Sequence, residues 1–325
     1  MRGLVLVLAA VLWLAPVSGG RADDGTRSAA NPLKAIVQIE SSVPADARTA
    51  RSLGTQRAGG GIVIDSSGLV LTIGYLVMES SEIWVIDDAA NRIPAQMVAY
   101  DHETGFGLIR AAAPLDAMPA RFGTSRDLAV GDKLVAAAPG VARTTVLVDT
   151  RPFAGGWEYL LDRALYASPP IPNFGGAALF SSDGTLVGVG SLILQDAGAG
   201  LPGNLYVPVD LLPPILGDLL AYGHSTAPAQ PWIGLYPNEV DGSLVVGRVA
   251  KDGPAQSAGI GPGDVILSIG GAPVADMEDL WRKVLALGSA GVEVPLTVLS
   301  TTGGRRDVVV TSRDRRNWLK LERSY

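Results

Sequence analysis

Gly59-Gly60-Gly61-Ile62-Val63-Ile64-Asp65-Ser66-Ser67-Gly68-Leu69-Val70-Leu71-Thr72 sets two runs rich in Ile, Val and Leu on either side of an Asp-Ser-Ser-Gly turn. Such residues pack well on a pleated strand, and Asp, Ser and Gly supply the turn chemistry between two strands. Outward from this stretch, residues 35–39 and 83–86 repeat the pattern, and Gly and Ser clusters separate such runs from Lys34 to about Asp210. Short strands at this spacing predict a barrel or a sandwich. One helix is expected after them, with Asp210 as N-cap, Pro213 and Pro214 in the first turn and Gly223 closing it. Residues 224–230, small and Pro-containing, are the expected domain boundary.

The 325 residues suit two modest domains, and 47% hydrophobic against 18% charged residues leaves ample material for cores and no sign of disorder. Residues 1–22 read as an export signal: Arg2, an apolar stretch from Leu4 to Pro16, then small residues around Gly20-Arg21-Ala22. The stretch is short for a membrane-spanning helix, and an uncleaved anchor is the alternative. Residues 23–33 are expected to be a mobile lead-in, and the destination is expected to be the periplasm. Without Arg2 and Arg21 the chain carries 24 basic and 32 acidic residues, a net charge of −8. That surface argues against nucleic acid and against an anionic membrane. The absence of Cys excludes disulfides, thiolate metal sites and lipidation at Cys. No His, Asp and Glu cluster suggests a metal, and no cofactor is expected. Asp65, Asp101, Asp183 and Asp264 read as turn residues.

Beyond the boundary, Gly253-Pro254-Ala255-Gln256-Ser257-Ala258-Gly259 predicts one helical turn closed by a left-handed Gly259. Pro262-Gly263-Asp264 turns into a strand over 265–269. Met277, Leu280, Trp281, Val284 and Leu285 fall on one face of a helix. Residues 292–299 and 307–311 read as strands around the Thr302-Gly303-Gly304 turn. With Gly234 near its start, this ordered set resembles a PDZ domain of the bacterial HtrA kind over 231–313. The resemblance implies a loop, Trp232-Ile233-Gly234-Leu235, whose N–H groups receive a peptide's terminal carboxylate while the peptide adds a strand to the sheet edge. Ile233, Leu235, Leu280 and Val284 would line the pocket for the last side chain.

The first domain resembles the HtrA protease domain, a chymotrypsin-like double β-barrel. The Gly-rich opening stretch is close to that family's entry to its catalytic histidine, and Tyr206-Val207-Pro208-Val209-Asp210 resembles the segment closing the second barrel. The implied fold is mainly β. It comprises a trypsin-like domain over 34–212, helix and linker over 213–230, a β-rich α+β PDZ domain over 231–313 and a tail over 314–325. The catalytic residues are missing from the match. Tyr75 stands at the His position, and Asp101-His102-Glu103-Thr104-Gly105 puts Gly105 at the Asp. Pro172-Asn173-Phe174-Gly175-Gly176 puts Gly175 at the Ser, or Phe174 if the register slips by one. Asn173 takes one oxyanion-hole position.

A serine mechanism needs nucleophile, base and orienting acid together. In subtilisin, loss of the Ser or the His alone costs about 10⁶ in turnover. His102 and His224 are the two histidines; neither maps to the base, and a lone loop His is expected to be solvated. The expectation is therefore an exported, non-catalytic binder of protein C-termini or extended peptides, acting as scaffold, chaperone-like or regulatory subunit. Assembly with an active HtrA-type protease or another exported complex, and a homo-trimer, are the partners the resemblance suggests. The alternative is an active serine-type endopeptidase with a non-standard site, such as a Ser–Lys pair. The tail, with Trp318, Leu319, Leu321 and Tyr325, is expected to pack on the PDZ domain, or else to dock a partner.

Overall fold

Twelve strands of the protein close into two six-stranded barrels in the computed structural model, which describes residues 31–321. The expected export signal, and residues 23–30 of the lead-in, lie outside the described residues. The first barrel comprises β1 (Ile36–Ser42), β2 (Gln56–Val63), β3 (Leu69–Ile73), β4 (Glu82–Ile86), β5 (Arg92–Tyr100) and β6 (Phe106–Ala111), closed in the order β1-β2-β3-β6-β5-β4. The period of two is plain in β1, where Val37, Ile39 and Ser41 are buried and their neighbours are not. β3 is buried throughout. One of its faces fills the first barrel and the other meets the second.

The second barrel comprises β7 (Lys133–Ala138), β8 (Val141–Gly155), β9 (Tyr159–Ser168), β10 (Ala178–Phe180), β11 (Leu186–Gly198) and β12 (Leu201–Pro208), in the order β10-β11-β12-β9-β8-β7. The barrels meet at a seam of glycines. A Cβ on Gly59 would stand 2.6 Å from the Gly175 carbonyl oxygen, and one on Gly60 2.9 Å from that of Gly176. Gly60 N–H donates to Gly175 O at 2.8 Å. The Gly59-Gly60 run thus allows its backbone to touch that of Gly175-Gly176.

Between barrels and the next sheet runs a helix, Pro213–Tyr222, closed by Gly223 at φ +77°. Asp210 is not its N-cap, contrary to the sequence expectation; that place falls to Leu212. The Asp210 carboxylate instead accepts the Ser125 N–H at 2.8 Å, the Thr124 hydroxyl at 2.8 Å and the Ser125 hydroxyl. A loop 85 residues away in sequence offered three donors, and three bonds outweigh one cap.

The third sheet contains β13 (Leu235–Val240), β14 (Ser243–Val249), β15 (Val265–Ile269), β16 (Ala272–Pro273), β17 (Glu293–Leu299) and β18 (Arg305–Thr311). Its order is β13-β14-β15-β17-β18, so β13 is an edge. The helix over Met277–Ala286 packs on it. This helix is capped by Asp276, which accepts the Asp279 N–H at 2.8 Å, and it buries Met277, Leu280, Trp281 and Val284. Ala154, near the end of β8, and Leu160, near the start of β9, pack against the core beneath this sheet. No helix among the described residues is long and apolar enough to cross a membrane.

Candidate functional site

Positions 75, 105 and 175, far apart in sequence, meet at the junction of the two barrels. Tyr75 lies in a 3-10 turn directly after β3, half-buried, with its hydroxyl donating to Ser191 O on β11 at 2.9 Å. A Cβ built on Gly175 would stand 2.7 Å from that hydroxyl and 3.5 Å from the ring carbon bearing it. The Tyr75 hydroxyl therefore occupies the space that a side chain at 175 needs. Burial pushes the Tyr75 phenol up, so it remains protonated and a donor.

Gly105 has φ +79°, and a Cβ there would lie 3.1 Å from the hydroxyl of Tyr159 on β9. That hydroxyl donates to Thr104 O at 2.7 Å. The Gly105 carbonyl accepts Gly74 N–H at 2.7 Å, and its N–H donates to Asp101 O at 2.9 Å. Asp101 itself closes the turn, accepting the Thr104 N–H and hydroxyl at 2.9 and 2.7 Å. A second tyrosine thus fills the place expected for the acid. Asn173 is exposed in the loop between β9 and β10, and Phe174 lines the cavity described below. The junction holds two phenols, each donating to a backbone carbonyl.

His102 departs from the sequence expectation of a solvated loop side chain. Its Nδ1 lies 3.0 Å from the Tyr100 hydroxyl, and its Nε2 2.9 Å from Glu158 O and 2.8 Å from Arg315 Nη1. Burial and the Arg315 charge hold its pKa well below the usual range, so it stays neutral. The tail that delivers Arg315 explains the difference, because only the fold brings residue 315 to residue 102. His224 meets Ser225 O at 2.8 Å and stays in the linker.

The expected carboxylate loop already holds a carboxylate. Glu158, at the tip of the β8–β9 hairpin, accepts Ile233 N–H on Oε2 at 2.8 Å, and Gly234 and Leu235 N–H on Oε1 at 2.6 and 2.8 Å. Gly234 has φ +77°, which aims three successive N–H groups at one point. Leu280 and Val284 are fully buried with Ile233 and Leu235 in the same core. The Trp232 ring packs on Trp318, centroids 4.9 Å apart. The tail touches both domains: Trp318 Nε1 donates to Lys251 O of the PDZ domain at 2.8 Å, and Lys320 N–H donates to Glu79 of the first barrel at 2.9 Å. It therefore bridges barrel and PDZ sheet rather than packing on the latter alone.

Between the junction and β13 lies a cavity of about 980 Å³, lined by Tyr75, Gly105, Trp157, Phe174, Ser191, Tyr236 and Trp318, with Arg48, Arg248 and Arg315 among its walls. Glu158, Tyr159, Ser191 and Arg315 give no signal in the sequence, since each acts through partners remote in the chain.

Residues 59–189 match the trypsin-like peptidase domain family and residues 231–306 the PDZ domain family. Two six-stranded barrels followed by a PDZ sheet define a chymotrypsin-type protease fold with an appended PDZ domain. The putative serine protease HhoA of Synechocystis sp. is 30% identical over 279 residues, covering 76% of this chain and 68% of that protein. The chain belongs to the HtrA-type serine protease family. A probable periplasmic DegP-like serine endoprotease of Pseudomonas fluorescens is 27% identical over 287 residues. The match takes in 82% of this chain but 58% of that relative, so the chain spans little more than half the length of such DegP-like proteins. Among solved structures, the HtrA-type protease AlgWS227A with tripeptide superposes with TM-score 0.53 at 19% identity, over 88% of this chain and 96% of that one. The serine endoprotease from Yersinia pestis gives 0.50 at 21% identity, over 87% and 95%. These two likenesses concern the fold alone.

Proposed function

We propose that this HtrA-type chain is an exported, non-catalytic binder of polypeptide segments. The observation that carries the reading is the junction itself, where Tyr75 donates its hydroxyl to Ser191 O and leaves no room for a side chain at Gly175. Neither position offers a nucleophile or a base, and Gly105 offers no acid to orient one. A peptide as ligand class is supported by the PDZ match and by solved relatives that hold a tripeptide or a decapeptide. The periplasm as destination is supported by the names of the DegP-like relatives and by the reading of residues 1–22. A role as scaffold or regulatory subunit beside an active protease, and assembly into a trimer, belong to the same reading.

Purified protein incubated with unfolded casein and with a fluorophosphonate serine probe tests it. The expected result is no cleavage and no labelling. Cleavage that disappears when one of this chain's own serines is replaced would establish the second reading, an endopeptidase with a non-standard site, which the names of the relatives favour.

A further inference from the structure

A PDZ-type loop with an open front has three N–H groups waiting for an anion. Here they are taken. Glu158 satisfies Ile233, Gly234 and Leu235 with both carboxylate oxygens. The rest of the hairpin tip lies in the groove between β13 and the helix at 277–286. Gly155 O accepts Trp281 Nε1 at 2.9 Å from that helix. Gly156 abuts the strand so closely that a Cβ there would collide with Pro237 O. Ala154 and Leu160 press into the core that Leu280 and Val284 form. The tip is held at the back as well: Arg315 donates to Trp157 O at 2.8 Å, and His102 Nε2 meets Glu158 O at 2.9 Å. Glu158 adopts φ +60°, a conformation that a non-glycine residue keeps only when its surroundings impose it.

The strand edge adds a second obstacle to an incoming chain. N–H groups along a strand point alternately to its two sides, and the Leu235 N–H points outward to Glu158. Two residues on, facing the same way, is Pro237, which has no N–H to give. An added strand would find a carboxylate loop and then a gap, so most of the hold on a ligand must come from the loop that Glu158 fills.

We infer that Glu158 is a built-in ligand of the PDZ loop, so that a partner ending in a free α-carboxylate is captured only in exchange with this side chain. The inference rests on the binder reading and names how that site is regulated. The hairpin is a tethered competitor. Its local concentration is set by a chain that cannot diffuse away, and a free peptide must outcompete it.

Two readouts on the full chain separate this inference from the reading beneath it. Hydrogen exchange reports the loop directly: the amides of 233–235 are expected to be protected in the wild type. They are expected to exchange at least tenfold faster in Glu158→Ala, and by an intermediate amount in Glu158→Gln, which keeps the shape and loses the charge. An array of immobilised peptides with free C-terminal carboxylates, with an amidated copy of each, reports capture. Glu158→Ala is expected to bind carboxylate peptides at least tenfold more tightly than the wild type, and the amidated copies weakly. Unchanged amide exchange in both variants overturns the self-ligand. So does wild-type capture as tight as that of the variants. Faster exchange without capture of any peptide upholds the self-ligand and sinks the binder reading instead. Should Glu158→Ala fail to fold, Glu158→Gln carries both measurements.

Discussion

Restoring a hydroxyl at the nucleophile position by Gly175→Ser should damage the protein rather than revive it, and the geometry says by how much. The new Cβ stands 2.7 Å from the Tyr75 hydroxyl but 3.5 Å from the ring carbon behind it. The hydroxyl, not the ring, is the obstacle. Gly175 is not among the residues with positive φ, so its backbone accepts a side chain. Room must come from Tyr75, which then gives up its bond to Ser191 O, a loss of about 1 kcal/mol. Overpacking adds about 1–3 kcal/mol, for a total of roughly 2–4 kcal/mol. Tyr75→Phe alone should cost about 1–2 kcal/mol, because the Ser191 carbonyl loses its donor. On that background Gly175→Ser meets a ring carbon at ordinary contact distance, and its cost should fall to within about 0.5 kcal/mol, helped by the lost backbone freedom of the unfolded chain. The double-mutant cycle therefore predicts a coupling of about 2 kcal/mol, the second change being cheaper once the first is made. Urea unfolding followed by tryptophan fluorescence, compared at equal m-values, measures all four corners. An additive cycle, or a Gly175→Ser protein as stable as the wild type, would refute the claim that Tyr75 fills this position. Labelling of Gly175→Ser by the fluorophosphonate probe would refute the claim that no base serves it.

Gly105→Asp is expected to cost about 1–3 kcal/mol, since φ +79° suits glycine and Tyr159 stands 3.1 Å from the new Cβ; thermal unfolding reads the loss. Trp318→Ala removes the partner of Trp232 and the bond to Lys251 O, with an expected loss of about 3–5 kcal/mol in urea and faster tryptic clipping of the tail. The Glu158 carboxyl is pushed up to about 7 by burial, against the pull of its three N–H donors and Arg315. Its usual value is 4.5, so folding takes up a proton. The stability this supplies is full below about pH 4.5 and is lost as pH rises through about 7, at most on the order of 3 kcal/mol. His102, Glu103, Asp314, Arg315 and Arg316 face the same pocket, and neutral His102 contributes in the opposite sense as pH falls. The difference between wild type and Glu158→Gln isolates Glu158. Urea midpoints should show the wild type losing ground to that variant from pH 5 to 8, and a flat difference contradicts the assignment.

The readable parts of this chain are those fixed by local chemistry. Gly234 and Gly259 take positive φ at the turns where the pattern places them, and Asp276 caps a helix whose apolar face repeats every three or four residues. The glycines at 59 and 60 were legible as strand punctuation, but their purpose, contact with Gly175 and Gly176 across the barrel seam, is not a local property. Asp210 carried a plausible N-cap signal and lost it to Ser125 and Thr124, which no window of sequence contains. His102 read as solvated because Arg315 lies 213 residues away. Glu158 sits in Gly155-Gly156-Trp157-Glu158-Tyr159, a turn with an acid in it. Only the closed fold shows that the acid faces three N–H groups of another domain.

Tyr159 and Glu158 are adjacent, and that adjacency ties the two sites together. Tyr159 sets its hydroxyl beside Gly105 and bonds Thr104 O, while the neighbouring Glu158 enters the PDZ loop from the same hairpin tip. Neither side chain can leave its place by moving the hairpin without straining the other. Between the two contacts lies the Glu158 backbone, held at φ +60°. Exchange of Glu158 for a peptide carboxylate would release from the PDZ loop a side chain that stands between Trp157 and Tyr159, which both line the 980 Å³ cavity. The PDZ loop and one wall of the cavity are thus joined by a path of adjacent residues in a single hairpin. The path runs through two residues, so its coupling should survive any substitution that leaves the hairpin backbone intact and vanish when glycine replaces Glu158.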